Sequence, residues 1–474
     1  MGYGSVSQCF LPLLLRHVSM PRDRITVIDM VDCSASPVLA PALQEGVHFV
    51  QEQITRDKLG EQLSCYAGPG DMIIDLAWNI GCLDILEWCH THDVLYINTS
   101  IELWDPYDNF DKKLTTDRTL YVRHMAIRKM IRDWGDKPGP TAIIEHGANP
   151  GLVSHFTKRA LLDIGNKLKA EKKKDPRLPA IEQAMADGAY NRLAQLLQVK
   201  VIHISEIDTQ ITNQPHNPDE FVNTWSVEGF FEEGTAPAEM GWGTHERILP
   251  PDARIHTSGP RNQICLARFG INTFVRSRVP SQEIVGMVVR HGEAFTISDH
   301  LTVWDENGSP VYRPTVHYAY WPCAAAIASL HALRARHYKA HEKYRIMNDD
   351  IVSGVDELGC LLMGHDFKSW WAGTILSIEE TRQLAPGQNA TTLQVAASVL
   401  GAVFWMIHNP RRGVLVPDQL PHEEIMQVAD PYLGEVVSMP LDWTPHGSDV
   451  VAKKTNNVFS PADDDPWQFQ HFLL

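Results

Sequence analysis

The chain opens MGYGSVSQ (residues 1–8), a G-x-G-x-x-S loop made by Gly2, Gly4 and Ser7. Such a loop grips a pyrophosphate when a buried strand delivers the chain to it and a helix N-terminus faces the anion. The helix is legible at once: VSQCFLPLLLRHV (residues 6–18) carries apolar side chains at helical spacing, with Pro12 tolerable only near the first turn. The strand is not, because only Met1 precedes Gly2. That strand would be central in its sheet, so the expectation is that the natural chain starts several residues upstream.

Working outward, ITVIDM (residues 25–30) is a short β-branched run ending near Asp29, about 25 residues beyond the glycines. An acid there accepts hydrogen bonds from an adenine ribose and repels a 2′-phosphate, which favours NAD over NADP. Strand candidates follow at 47–54, 71–78 and 94–100, the last two separated by the helical stretch IGCLDILEWCHTH. This is the β-α-β rhythm of a parallel sheet. Ligands bind beyond the carboxyl ends of such strands. The expected cofactor contacts are therefore Gly2, Gly4, Ser5 and Val6 in the loop, Asp29, and Asp75, Asn79, Asn98, Thr99 and Ser100 at strand ends.

TAIIEHGANPGLVSHF (residues 141–156) begins as a strand, turns through GANPG and enters an amphipathic helix, placing Asn149 and Pro150 beside a nicotinamide. The fold class is α/β: a Rossmann-type dinucleotide-binding domain at 1–148, its first strand apparently truncated, and a larger α/β substrate-binding and dimerisation domain at 149–474. In the latter, VKVIHISEID (199–208) reads as a strand and TVHYAYWPCAAAIASLHAL (315–333) as a long helix. The apolar run Leu393 to Ile407 contains Gln394, falls short of the roughly 20 residues of a spanning helix, and reads as a buried helix.

The formal net charge of −16 disfavours nucleic acid and anionic membranes and attracts small cations. Eight scattered cysteines without a C-x-x-C pair read as free thiols in a reducing cytoplasm. The 22 histidines form no H-E-x-x-H frame, so no metal is expected. Three stretches carry other chemistry: HISEIDTQ with Glu206 and Asp208, NTWSVEGFFEEG with Trp225, Glu232 and Glu233, and RHGEAF with His291 and Glu293. Carboxylates beside an aromatic face suit a flexible ammonium ligand, held by charge-assisted hydrogen bonds and by the ring quadrupole.

GYGSVSQ, IDLAWNIG, YINTSIELW, EHGANPGLVSHF, NTWSVEGFFEEG, RHGEAFTISDHL and SGVDELGCLLMG together resemble the bacterial homospermidine synthase family, on a saccharopine-dehydrogenase-like frame. The resemblance implies a homodimer that holds NAD tightly and recycles it within each turnover, joining two putrescines into homospermidine with release of ammonia. It implies that Trp225 binds an ammonium on its ring face, that Glu206 and Glu233 hold amino groups, and that Asn149 and Glu102 line the nicotinamide side. His291 is the candidate for proton transfer and Asp356 a further acid at the inner end. Ser7, where the family motif calls for a third glycine, departs from the pattern. A saccharopine-type NAD-dependent amine dehydrogenase and a non-catalytic polyamine-binding protein are the alternatives.

Overall fold

The structure is a computed structural model that describes residues 1–108, 112–135, 138–445 and 465–474. Helix α1 (Ser5–His17) follows the opening loop and buries Cys9, Phe10, Leu13 and Leu14 against the helix Ala390–His408. Pro12 is interior to α1 rather than in its first turn, and it is tolerated on the exposed face. Strands β1 (Thr26–Asp29) and β2 (His48–Gln51) pair in parallel. Strand β3 (Met72–Asp75), helix α2 (Cys82–His92) and strand β4 (Leu95–Asn98) form a parallel unit with Asp75 opposite Asn98. Helix α3 (Leu120–Trp134) leads to β5 (Ala142–Ile143), beside β4. The strand Val414–Leu415 pairs with β5 as the outer member, so chain from far downstream completes this sheet.

The parallel strands of the first domain fall into two separate sheets. The β1–β2 pair and the four strands built on β3 are bridged only by the first two residues. The Met1 amine donates to the Ile74 carbonyl at 2.8 Å, Leu76 N–H to the Met1 carbonyl at 2.9 Å, and Gly2 N–H to the Ile28 carbonyl at 2.9 Å. Beside this bridge, between the facing edges of β1 and β3, lies a cavity of about 670 Å³ lined by Leu14, Ile25, Ile28, Ile74 and Val403 among others. Gly2 has φ +77°, and a Cβ there would lie 2.7 Å from the Ala77 backbone, so the turn out of the sheet requires glycine.

Helix α4 (Leu152–Glu171) leaves the GANPG turn and packs on the second sheet. At the centre of that sheet is β6 (Val201–Asp208), buried at all eight positions. The short helix α5 (Val227–Gly234) is capped by the Ser226 hydroxyl, which accepts from Gly229 N–H at 3.0 Å. Strands β7 (Pro237–Gly241) and β8 (Gln263–Phe269) lie to one side, and α6 (Glu293–His300) packs on β7. Next to β6 run β9 (Thr315–Trp321) in parallel and β10 (Val355–His365) antiparallel, followed outward by β11 (Lys368–Ser377). Helix α7 (Ala390–His408) carries the long apolar run; it is long and apolar enough to cross a membrane, but 83% of its apolar window is buried inside the protein.

The stretch TVHYAYWPCAAAIASLHAL divides, contrary to the expectation of one long helix. Thr315–Trp321 is strand, and only Ala324–Ala335 is helical. The alternation of Val316, Tyr318 and Tyr320 has a period of two, and Pro322 holds the residue before it extended.

The GANPG turn is closed by Gly147 N–H donating to the Pro150 carbonyl at 2.7 Å, with a cis Asn149–Pro150 bond. Gly151 has φ +134°, and a Cβ on it would stand 1.8 Å from the Gly147 oxygen. Gly151→Ala is therefore expected to lower folding stability by about 2 kcal/mol or more. An unchanged urea midpoint would show that the turn has room to relax.

Candidate active site

The two sheets meet at a cavity of about 200 Å³ whose walls come from both halves of the chain. From the first sheet come Thr99, Ser100 and Glu102 after β4, and Gly147, Asn149 and Pro150 after β5. The second half supplies Glu206 from β6, Trp225, Glu232 and Glu233 at α5, His291 before α6, and Tyr318 from β9. Val6 near the start of α1 and Thr391 near the start of α7 close the opposite wall. The two helix starts are tied together, the Ser5 and Thr392 hydroxyls lying 3.1 Å apart.

Burying acids is costly unless they are paired, and here they face one another. Glu206 and Asp208 are two residues apart on β6 and so share a face; Asp356 stands opposite Asp208 on β10. The Glu206 carboxylate accepts from the Tyr318 hydroxyl and from Asn149 Nδ2 at 3.2 Å. Desolvation nevertheless pushes Glu206 up to about 8. Asp208 accepts from Thr224 Oγ1 at 2.7 Å and from Gln210 N–H at 2.8 Å, and burial raises it too. Asp356 is raised well above the carboxylate range by burial and then by its two acidic neighbours; Thr391 donates to one of its oxygens, and the other, Oδ1, has no partner. Among the described residues no Lys or Arg pairs with any of the three.

Across the cavity, His291 Nε2 lies 3.1 Å from Glu233 Oε2 and Nδ1 lies 3.3 Å from Glu293 Oε1. Burial opposes a charge on this ring, but Glu293 and Glu233 together outweigh it and raise the imidazole well above its ordinary value. One residue back on each segment, Arg290 and Glu232 form a second pair, joined by Arg123 Nη2 of α3 at 2.5 Å from Glu232. Burial alone would raise Glu232; the Arg290 and Arg123 guanidiniums hold it down at about 2. Glu102 accepts from Ser100 Oγ at 2.7 Å and is raised to about 7 by desolvation and by Glu232. The Trp225 indole donates from Nε1 to the Tyr320 hydroxyl at 3.1 Å, which fixes the ring at the cavity wall.

The candidate residues thus converge in part. Trp225, Glu206, Glu233, His291, Asn149, Glu102, Val6, Thr99, Ser100 and Pro150 share one cavity. Gly2, Gly4 and Ser5 do not line it; they precede Val6, in the loop and the first residue of α1. Asp29, at the end of β1, accepts from Tyr3 N–H at 2.6 Å and Val31 N–H at 2.8 Å, so it braces the loop. Four further candidates are also off the wall. Asp75 is buried with its carboxylate bonded to the Tyr96 hydroxyl at 2.8 Å and to Ala77 N–H at 3.2 Å, a structural tie in place of a cofactor contact. Asn98 is likewise turned inward, donating to Cys82 Sγ at 3.1 Å and accepting Glu145 N–H at 2.8 Å. Asn79 occupies a left-handed position with φ 59° outside the cavity. Asp356 is one hydrogen bond behind the wall, through Thr391. No cluster of His, Cys, Asp and Glu suited to a metal occurs among the described residues.

Sequence reading missed Tyr318, Arg123, Arg290 and Glu145. Tyr318 was hidden by the helical reading of its strand, although the alternation in VHYAYW was the available signal. Arg123 faces the site from an amphipathic helix, and nothing local distinguishes it from a solvated arginine. Glu145 has φ +61°, unusual for a glutamate, and bonds His124 Nε2 at 2.9 Å.

Residues 1–143 match the saccharopine dehydrogenase NADP binding domain family, and residues 147–441 the saccharopine dehydrogenase C-terminal domain family. Homospermidine synthase from Blastochloris viridis is 42% identical over 100% of this chain and 96% of its own. That of Mesorhizobium japonicum is 38% identical over 100% of this chain and 95% of its own. A crystal structure of homospermidine synthase from Legionella pneumophila in complex with NAD superposes with a TM-score of 0.84 at 35% identity, covering 100% of this chain and 96% of that one.

The Arg123–Glu232–Arg290 group makes a stability prediction. The folded pKa of Glu232 lies below its ordinary 4.5, so its contribution is present above about pH 4.5 and lost as the pH falls toward about 2. Glu232→Gln leaves two buried guanidiniums without this counter-charge and should cost about 3–5 kcal/mol at pH 7, the deficit shrinking toward pH 2. Urea unfolding at several pH values reads this directly; equal stability of both proteins at pH 7 would contradict it.

Proposed function

We infer that this chain, which belongs to the homospermidine synthase family on a saccharopine-dehydrogenase frame, joins two putrescine molecules into homospermidine with release of ammonia. The observation that carries the reading is a single cavity in which Trp225, Glu206, Glu233 and His291 stand opposite the start of α1. A linear dication needs acids and an aromatic face; a dinucleotide needs a glycine turn and a helix start.

The residues present fit NAD. Gly2 makes a turn that a side chain would block, and a Cβ on Gly4 would meet nothing within 4 Å, leaving the approach to the start of α1 open. No side chain caps that helix, so its first N–H groups are free to take phosphate oxygens. Asp29 at the end of β1 favours a ribose hydroxyl over a 2′-phosphate, consistent with NAD although the matched domain family is named for NADP. Bound NAD supplies redox chemistry, removing a hydride from a putrescine carbon that bears nitrogen and restoring it to the imine of the joined chain.

The protein's own groups do the rest. Trp225 receives an ammonium on its ring face. Glu206, protonated when alone, becomes a carboxylate when an ammonium pairs with it, and Asn149 and Tyr318 orient that carboxylate. The Glu233–His291 pair takes the proton that an attacking ammonium must lose. Glu102 and Asn149 flank the nicotinamide side, and Asp356 supports the inner end through Thr391. Enclosure between the two sheets keeps water from hydrolysing the imine. The assembly is read as a cytoplasmic homodimer, with no nucleic-acid or membrane partner, in keeping with a net charge of −16.

Incubation with putrescine and sub-stoichiometric NAD should yield homospermidine and ammonia in equal amounts with no net NADH. Accumulating NADH would mark a simple dehydrogenase; tight putrescine binding with neither product would mark a binding protein. Trp225→Ala should lose about tenfold or more in turnover with NAD still bound, since cation–π pairing in a desolvated site is worth about 2 kcal/mol. Unchanged putrescine kinetics in that variant would remove the ring from ammonium binding.

A further inference from the structure

His291 has a carboxylate at each nitrogen. Its Nε2 faces Glu233, which lines the cavity, and its Nδ1 faces Glu293, which is fully buried. Neither oxygen of Glu293 bonds any other side chain among the described residues, so its charge has no partner but this imidazole. Glu293 is the first residue of α6, where the helix dipole favours an anion. The segment has little freedom to turn away: a Cβ on Gly292 would stand 2.0 Å from the Glu145 carboxylate.

A neutral imidazole carries one N–H and satisfies one of two facing carboxylates. The inner carboxylate is fully buried and has no other side-chain donor among the described residues, whereas Glu233 borders the substrate space. We propose that Glu293 is a positioning residue that keeps the Nδ1 proton of His291 in place, so that proton exchange with substrate nitrogens occurs at Nε2 alone. The tautomer rests on the 3.3 Å approach of Nδ1 to Glu293, which falls short of a formed hydrogen bond; the exchange step rests on the synthase reading above.

In that step Nε2 takes one proton from the entering ammonium as its nitrogen forms the new C–N bond to the imine carbon. Nε2 gives that proton to the old nitrogen and takes the second proton from the new one, whose lone pair forms the new C=N bond as the old C–N bond breaks; ammonia leaves, and Nε2 passes the remaining proton to it. Nδ1–H is unchanged throughout; the C=N π pair moves to the old nitrogen on attack, a lone pair of the new nitrogen makes the new C=N bond on expulsion, and nothing is oxidised or reduced. The same division of labour between a buried carboxylate and the two ring nitrogens operates in hydrolytic triads.

The other groups around the ring act equally in the variant proposed. The Tyr318 ring of β9 lies tilted against it at 4.4 Å between ring centroids, and Glu206 of β6 lies beyond it. Arg290 and Glu232 neutralise each other behind the ring, and Glu145 is paired with His124.

Nitrogen NMR of the His291 ring in the NAD-loaded protein tests the proposal without any turnover. The expected result is a neutral form protonated at Nδ1 and a titration above that of free histidine, falling by about one unit or more in Glu293→Gln. The same variant should lose about 10²-fold or more in kcat with KM for putrescine and NAD retention little changed, and Glu293→Asp should recover part of the loss. A wild-type neutral form protonated at Nε2 overturns the proposal, as does a Glu293→Gln ring that titrates like wild type. Absence of homospermidine with the expected tautomer present would overturn the synthase reading and leave the role of Glu293 in fixing the ring intact.

Discussion

Three carboxyl groups, Glu206, Asp208 and Asp356, are buried side by side on two neighbouring strands with no basic side chain bonded to them among the described residues. An isolated protein accepts this arrangement only by keeping protons on the acids, and Glu206 is accordingly raised to about 8. A linear diammonium relieves the strain by supplying positive charge that the fold withholds. The rest of the second domain can be understood as support for that condition. β6 is buried along its whole length, Tyr318 and Tyr320 stack 5.1 Å apart on the neighbouring strand, and Trp225 is held by the second of these tyrosines.

The opposite wall has the reverse polarity. The start of α1, tied to that of α7 through Ser5 and Thr392, carries no side-chain cap, so its first N–H groups stand uncompensated beside the cavity. An anionic cofactor and a cationic substrate are thereby directed to different sides of one small space, which brings a hydride donor and acceptor together. Between these walls, adjacent residues alternate roles. Glu232 and Arg290 form a buried pair, while Glu233 and His291, next in sequence to each, pair at the cavity wall. Arg123 extends the structural pair into the first domain, so the geometry of the acid–base pair depends on how the two halves of the chain meet.

The parallel units of the first domain were legible because short β-branched runs, an acid-tipped strand and glycine turns are local signals. The acidic and aromatic character of the substrate side was also visible, in HISEID and NTWSVEGFFEEG. What could not be read was partnership. That Asp75 is taken by Tyr96, that Asn98 braces Glu145, and that Asp356 reaches the cavity only through Thr391 are all consequences of tertiary packing. The reading of Thr315–Trp321 as helix failed because an alanine-rich helix follows directly after Pro322, and its composition masked the period of two.

The central claim is that the acids wait in protonated form for a cation, and proton release on substrate binding measures it most directly. Calorimetry of putrescine binding to the NAD-loaded protein at pH 7, in buffers of differing ionisation enthalpy, should show protons released to solvent. Glu206→Gln should reduce that release and weaken putrescine binding. Binding without proton release, at an affinity unchanged in Glu206→Gln, would contradict the account.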